Sequence, residues 1–119
     1  STSRGLGDVY KRQLQGHERI RCIVNYLTRM RLTDAEGRLE YSFKDALDDP
    51  MPEGFKPWFE FESQAAQTHQ ILFGHWAALN GKTISNKIQN VDGGCVWGNQ
   101  LMAFRLEDQQ MFAVDNPVM

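Results

Sequence analysis

No apolar run in this 119-residue chain approaches the roughly 20 residues that a helix needs to cross a bilayer. Its first residues hold no apolar stretch of the kind that forms the core of a signal peptide. The chain is not dominated by charge of one sign either. Thirteen Lys and Arg stand against 15 Asp and Glu, a net charge of −2, which gives no electrostatic basis for binding nucleic acid. Cysteine is scarce: Cys22 and Cys95 lie far apart and form no CxxC pair, so a structural zinc site is unsupported. Two free thiols are the expectation for a protein of the reducing cytoplasm. There is no internal repeat, low-complexity tract or inter-domain linker. With 41% hydrophobic and 24% charged residues, the composition is that of a soluble globular chain. Its length allows at most one small domain.

The hydrophobic pattern predicts a mixed α/β chain. Ile20, Ile23, Val24, Leu27 and Met30 recur at three- and four-residue steps, so a helix with one apolar stripe is predicted over residues 18–31. A turn is predicted over residues 33–37, then a strand over 38–43 with Leu39, Tyr41 and Phe43 on one side. The prolines and glycine of residues 48–54 mark a loop. Lys56-Pro57-Trp58-Phe59 then returns aromatic side chains to the body of the fold, with Trp58 in the core. A buried strand is predicted at 70–73, a helical turn at 77–79, a further strand at 87–91, and a hairpin from 100–105 and 111–114. The helix stripe needs a partner sheet, and the short strands need neighbours to cover their edges.

Two strand ends carry the chemistry. One strand runs into Phe73-Gly74-His75-Trp76, the other into Val91-Asp92-Gly93-Gly94-Cys95-Val96-Trp97-Gly98. Ligands in α/β sheets gather beyond the carboxyl ends of strands. A histidine delivered there by a glycine suits metal ligation or work on a phosphate, because neutral imidazole is the commonest protein ligand for first-row divalent metals. Read from the residues alone, His75 is more simply a strand-end histidine held by hydrogen bonds. Asp92-Gly93-Gly94-Cys95 is either a loop that shapes a pocket or a turn that needs positive φ. Cys95, His75 and Asp92 are the residue types of a thiolate triad, although nothing in their spacing demands one. Arg29 and Arg31 are either phosphate forks or a solvated helix end favoured by the macrodipole. Trp76 and Trp97 are either stacking platforms for a base or core aromatics.

Glu18-Arg19, Ile23-Val24-Asn25, Leu27-Thr28-Arg29-Met30-Arg31, Gly37-Arg38-Leu39, Lys56-Pro57-Trp58-Phe59, Phe73-Gly74-His75-Trp76-Ala77 and Arg105-Leu106-Glu107-Asp108 occur in this order. Together they resemble the C-terminal part of the symmetrical bis(5′-nucleosyl)-tetraphosphatases, calcineurin-like metallophosphoesterases. The resemblance runs from about residue 16 to 114. It implies the C-terminal part of a β-sandwich flanked by helices. It also implies a cytoplasmic hydrolase that cleaves diadenosine tetraphosphate symmetrically to two ADP, by in-line attack of a metal-bound hydroxide and without a covalent enzyme intermediate. Two divalent metal ions are implied, manganese or cobalt, with magnesium as an alternative. His75 is implied as a ligand of one, with Arg29, Arg31, Trp76, Asp92, Cys95 and Trp97 as candidates for contact with a dinucleoside polyphosphate. Gly93 stands where the family has Thr and Asn99 where it has Gly, which bears on loop geometry.

The family's other ligand motifs, Asp-x-His, Gly-Asp-x-x-Asp and Gly-Asn-His-Asp/Glu, do not occur here. Residues 14–119 therefore read as part of a longer metallophosphoesterase domain, inactive alone. Asp8-Val9-Tyr10-Lys11-Arg12-Gln13 looks like the in-frame translation of a transposase sequencing adapter, so residues 1–13 are set aside from fold reasoning. Two other readings remain. One is a related metallophosphoesterase acting on phosphoprotein or capped RNA ends. The other is a non-catalytic binding module that kept the scaffold.

Overall fold

A computed structural model describes residues 14–117, and the adapter reading of residues 1–13 lies outside them. The fold is mixed α/β, as the pattern predicts, and it divides into two compact units. One contains the residues up to Phe43 together with Asp48–Phe61. The other contains Lys44–Leu47 and the residues from Glu62 onward.

In the first unit, helix α1 spans Gly16–Arg29, with Glu18 in its first turn and Arg29 in its last. That charge order suits the helix dipole. The helix stops when Met30 turns extended, at φ −70° and ψ 123°. The chain then enters β1 (Leu32–Thr33), which pairs antiparallel with both β2 (Leu39–Glu40) and β3 (Lys56–Pro57). The sheet order is β2-β1-β3. Central β1 is the buried strand, with Leu32 wholly inside, and Pro57 beside it is also buried. The Tyr26 hydroxyl donates to the Gly37 carbonyl at 2.7 Å, tying α1 to the β1–β2 turn.

The strand expected over residues 38–43 is cut to two residues. Beyond β2 the alternation fails, since Tyr41 is exposed while Phe43 is buried. The Ser42 amide bonds back to the Glu40 carboxylate, a local turn that competes with strand continuation. Thr33, expected in the turn, belongs to β1. The apolar stripe of α1 is largely uncovered: Ile20, Ile23, Val24 and Leu27 are all exposed.

Asp34 closes the β1–β2 turn. Its Oδ1 accepts from the Glu36 and Arg38 amides, both at 2.9 Å, and its Oδ2 pairs with the Arg38 guanidinium. Burial pushes its carboxyl up, but the bonds from Arg38 and Glu36 outweigh burial and hold it below the usual 3.8. A depressed folded value stabilises the fold above the unfolded aspartate value, and that stabilisation is lost as pH falls through the folded value. Thermal melts of the first unit are thus expected to drop as pH falls below about 3.8. Asp34→Asn should remove that part of the slope; an unchanged slope would show that Asp34 does not supply it.

In the second unit, a short helix α2 (Gln64–Thr68), which the sequence pattern did not predict, leads to β4 (Ile71–Phe73). A 3₁₀ turn at Ala77–Leu79 follows, then β5 (Ile88–Asn90). Strands β4 and β5 pair in parallel, with Ile71 opposite Ile88 and Phe73 opposite Asn90. Of the two, β5 is the buried strand. The strand expected to be buried, β4, has Leu72 exposed to solvent. A second 3₁₀ turn at Cys95–Trp97 leads to the hairpin of β6 (Gln100–Arg105) and β7 (Gln110–Asp115), close to the expected one. Gly81 lies at φ +72°, and a Cβ there would fall 2.4 Å from Met102 Sδ. The end of the Met102 side chain could shift to make room, so it is the positive φ that favours glycine here.

Candidate functional site

The parallel register sets both strand ends side by side. Phe73 faces Asn90, and the Val91 amide extends the ladder by donating to the Phe73 carbonyl at 2.8 Å. Gly74-His75 and Asp92-Gly93 therefore leave the sheet together, at its carboxyl edge. His75 is exposed and sits at φ +60°. A left-handed backbone costs a residue with a Cβ about 1–2 kcal/mol, so something must hold it there.

Asp92 is the nearest support. Its Oδ2 accepts from the Trp76 amide at 3.0 Å and its Oδ1 from the Gly94 amide at 3.0 Å. Hydrogen bonds to a charged group contribute about 1.5–3 kcal/mol each, enough to offset the strain at His75. Asp92 is itself held from below. Its amide donates to Oδ1 of Asn90 at 3.0 Å, and the same oxygen accepts from the Gly81 amide at 3.1 Å. Asn90 is fully buried, with its Nδ2 unpartnered among protein atoms. Sequence reasoning missed Asn90 and the backbone role of Asp92. The available signal was the Asp-Gly-Gly string, a typical setting for an aspartate that bonds the amide two residues on.

The remaining candidates separate. Trp76 is only 1% exposed, and its indole N–H donates to the Asp45 carbonyl at 2.9 Å. The core reading therefore describes Trp76, and the stacking reading does not, because neither ring face reaches solvent. Trp97 is 74% exposed on its 3₁₀ turn and keeps a free face for stacking. Cys95 is half-buried on the same turn, and its carbonyl accepts from Asn116 Nδ2 at 2.8 Å. In the first unit, Arg29 is exposed and its guanidinium lies 4.6 Å from the centre of the Tyr41 ring. Arg31 is buried, with Nη1 3.5 Å from the Phe43 carbonyl. A phosphate fork needs a guanidinium open to its ligand; Arg29 meets that condition and Arg31 does not. Trp58, expected in the core, is half-buried, edge-on to Phe59 with ring centres 5.4 Å apart.

Among the described residues, no three His, Cys, Asp or Glu side chains come together in a way that could hold a metal ion. Both oxygens of Asp92 are engaged by backbone amides, while His75 is exposed at the strand edge. The residues here therefore do not fit a binuclear metal centre on their own.

Comparison with known proteins finds similar sequences. A symmetrical bis(5′-nucleosyl)-tetraphosphatase of Marinomonas sp. (strain MWYL1) is 46% identical over 100 residues, 84% of this chain and 36% of the relative. One from Legionella pneumophila (strain Corby) is 45% identical over 107 residues, 90% of this chain and 38% of the relative. One from Aeromonas salmonicida (strain A449) is 43% identical over 112 residues, 94% of this chain and 41% of the relative. By sequence, the chain is similar over most of its length to symmetrical bis(5′-nucleosyl)-tetraphosphatases. It spans well under half the length of these relatives. No protein-family model matches it.

Proposed function

We propose that the chain is the C-terminal part of a cytoplasmic hydrolase that cleaves diadenosine tetraphosphate symmetrically to two ADP. The observation that carries this reading is identity of 43–46% across most of the chain to relatives named for that activity. The site geometry supports it: a glycine delivers His75 to the carboxyl edge of a parallel strand pair, where α/β folds place ligands. The longer protein would use two divalent metal ions, manganese or cobalt, with magnesium as the alternative, and His75 would ligate one of them. Arg29 and Trp97 keep the exposure that contact with phosphate or base requires. The β-sandwich of the metallophosphoesterases would take in the short sheets seen here.

Among the described residues no helix is long and apolar enough to cross a membrane. The scaffold-only reading draws on one observation, the lack of a three-ligand cluster among the described residues. Two measurements separate the readings. The purified chain with diadenosine tetraphosphate and manganese is expected to release no ADP above the blank, and turnover there would overturn the fragment reading. Native DNA read upstream of the Leu14 codon is expected to continue into Asp-x-His, Gly-Asp-x-x-Asp and Gly-Asn-His motifs. A frame without them would favour the scaffold.

A further inference from the structure

We infer that Asp92 is a positioning residue, not a substrate contact: its carboxylate clamps the peptide after His75 and so fixes where the imidazole leaves the strand edge. Three observations combine. His75 adopts a left-handed backbone that is uncommon for a residue with a Cβ. The next amide, that of Trp76, points into Oδ2 of Asp92, on the neighbouring parallel strand end. The other oxygen of the same carboxylate is committed to the Gly94 amide. One side chain therefore joins the Gly-His loop to the Asp-Gly-Gly loop, and it has no oxygen left over that is free of a backbone donor.

The clamp is anchored on both sides. Buried Asn90 holds the Asp92 amide, and the Asp92 carbonyl accepts from the Gly81 amide at 3.1 Å, so the aspartate backbone is fixed before its side chain reaches across. On the far side, the Trp76 ring is buried with its N–H on Asp45, so the residue after His75 cannot drift either. His75 is the exposed residue between these fixed points. This arrangement fixes the backbone from which one imidazole leaves the strand edge, as the support of a ligand or proton-handling histidine requires.

The importance of the clamp rests on the reading of His75 given above, but the clamp can be tested without metal or substrate. Amide hydrogen exchange of the whole chain, followed by NMR, reads it directly. In Asp92→Ala, the Trp76 and Gly94 amides are expected to exchange about tenfold faster or more, while amides paired across β6 and β7 keep their protection. In Asp92→Asn, whose side chain offers one acceptor oxygen, one of the two amides should stay slow and the other should be freed. Unchanged exchange of Trp76 in the alanine protein overturns the inference. If the hairpin amides also lose protection there, the asparagine protein decides. One slow and one fast amide then supports the clamp, whereas both slow or both fast overturns it. An inert His75 in the longer enzyme would remove the metal reading and leave these exchange rates as they are.

Discussion

Trp76→Ala is expected to unfold the second unit at temperatures where the native chain is intact. Removing a buried tryptophan costs about 3–5 kcal/mol, against a total stability of roughly 5–15 kcal/mol for a whole domain. Few other side chains in that unit are as deeply buried, since Leu79 and Ile88 keep 6% and 7% exposure against 1% for Trp76. The Asp45 carbonyl also loses its indole donor. Trp97→Ala, by contrast, removes a ring that is 74% exposed and should change stability by no more than about 0.5 kcal/mol. Urea titrations of both proteins, followed by near-ultraviolet circular dichroism, provide the check. Similar midpoints would show that Trp76 is not the core of this unit and would return it to the candidates for contact with a base.

The two tryptophans illustrate what sequence could and could not convey. Both follow a glycine turn, and nothing local distinguishes them. The difference lies in partners distant in sequence, because the acceptor for the Trp76 indole is the carbonyl of Asp45 in a loop without regular structure. The strand end at Phe73 was legible from a short apolar run stopped by glycine. The sequence places the strand before Asp92-Gly93 at 87–91, one residue longer at each end than the Ile88–Asn90 observed. Their parallel pairing was not legible, since periodicity reports which face a residue takes but not which strand lies beside it. The helix of residues 16–29 was legible because its stripe, from Ile20 to Met30, repeats over about three turns. The strand expected at 38–43 failed for the opposite reason. It offered only three alternating positions, and the carboxylate of Glu40 within it accepts from the Ser42 amide. Arg31 shows the same limit: it reads as a basic residue at a helix end, yet the chain turns inward at Met30 and carries it under cover. Asp92 was legible as a residue near the site. Its role was not, because that depends on which amides two loops point at one carboxylate.

In a protein of the relatives' full length, His75→Gly is expected to abolish hydrolysis of diadenosine tetraphosphate without lowering the melting temperature. The two halves of that outcome have separate causes. Losing a group that merely supports a metal ligand costs about 10–100-fold in affinity or activity, so losing a ligand itself should cost about a hundredfold or more. Stability should not suffer, because φ +60° is a conformation that glycine adopts freely and histidine does not. Glycine at this position relieves strain of about 1–2 kcal/mol while deleting the imidazole. His75→Ala serves as the partner experiment: it removes the same ring but keeps a Cβ in the strained conformation. Equal losses of turnover in both, with the melt of the glycine protein at or above the native one, assign the effect to the imidazole. Turnover preserved in both proteins would make His75 a strand-end histidine without chemistry. That outcome would leave the enzyme reading standing and remove His75 from the metal centre.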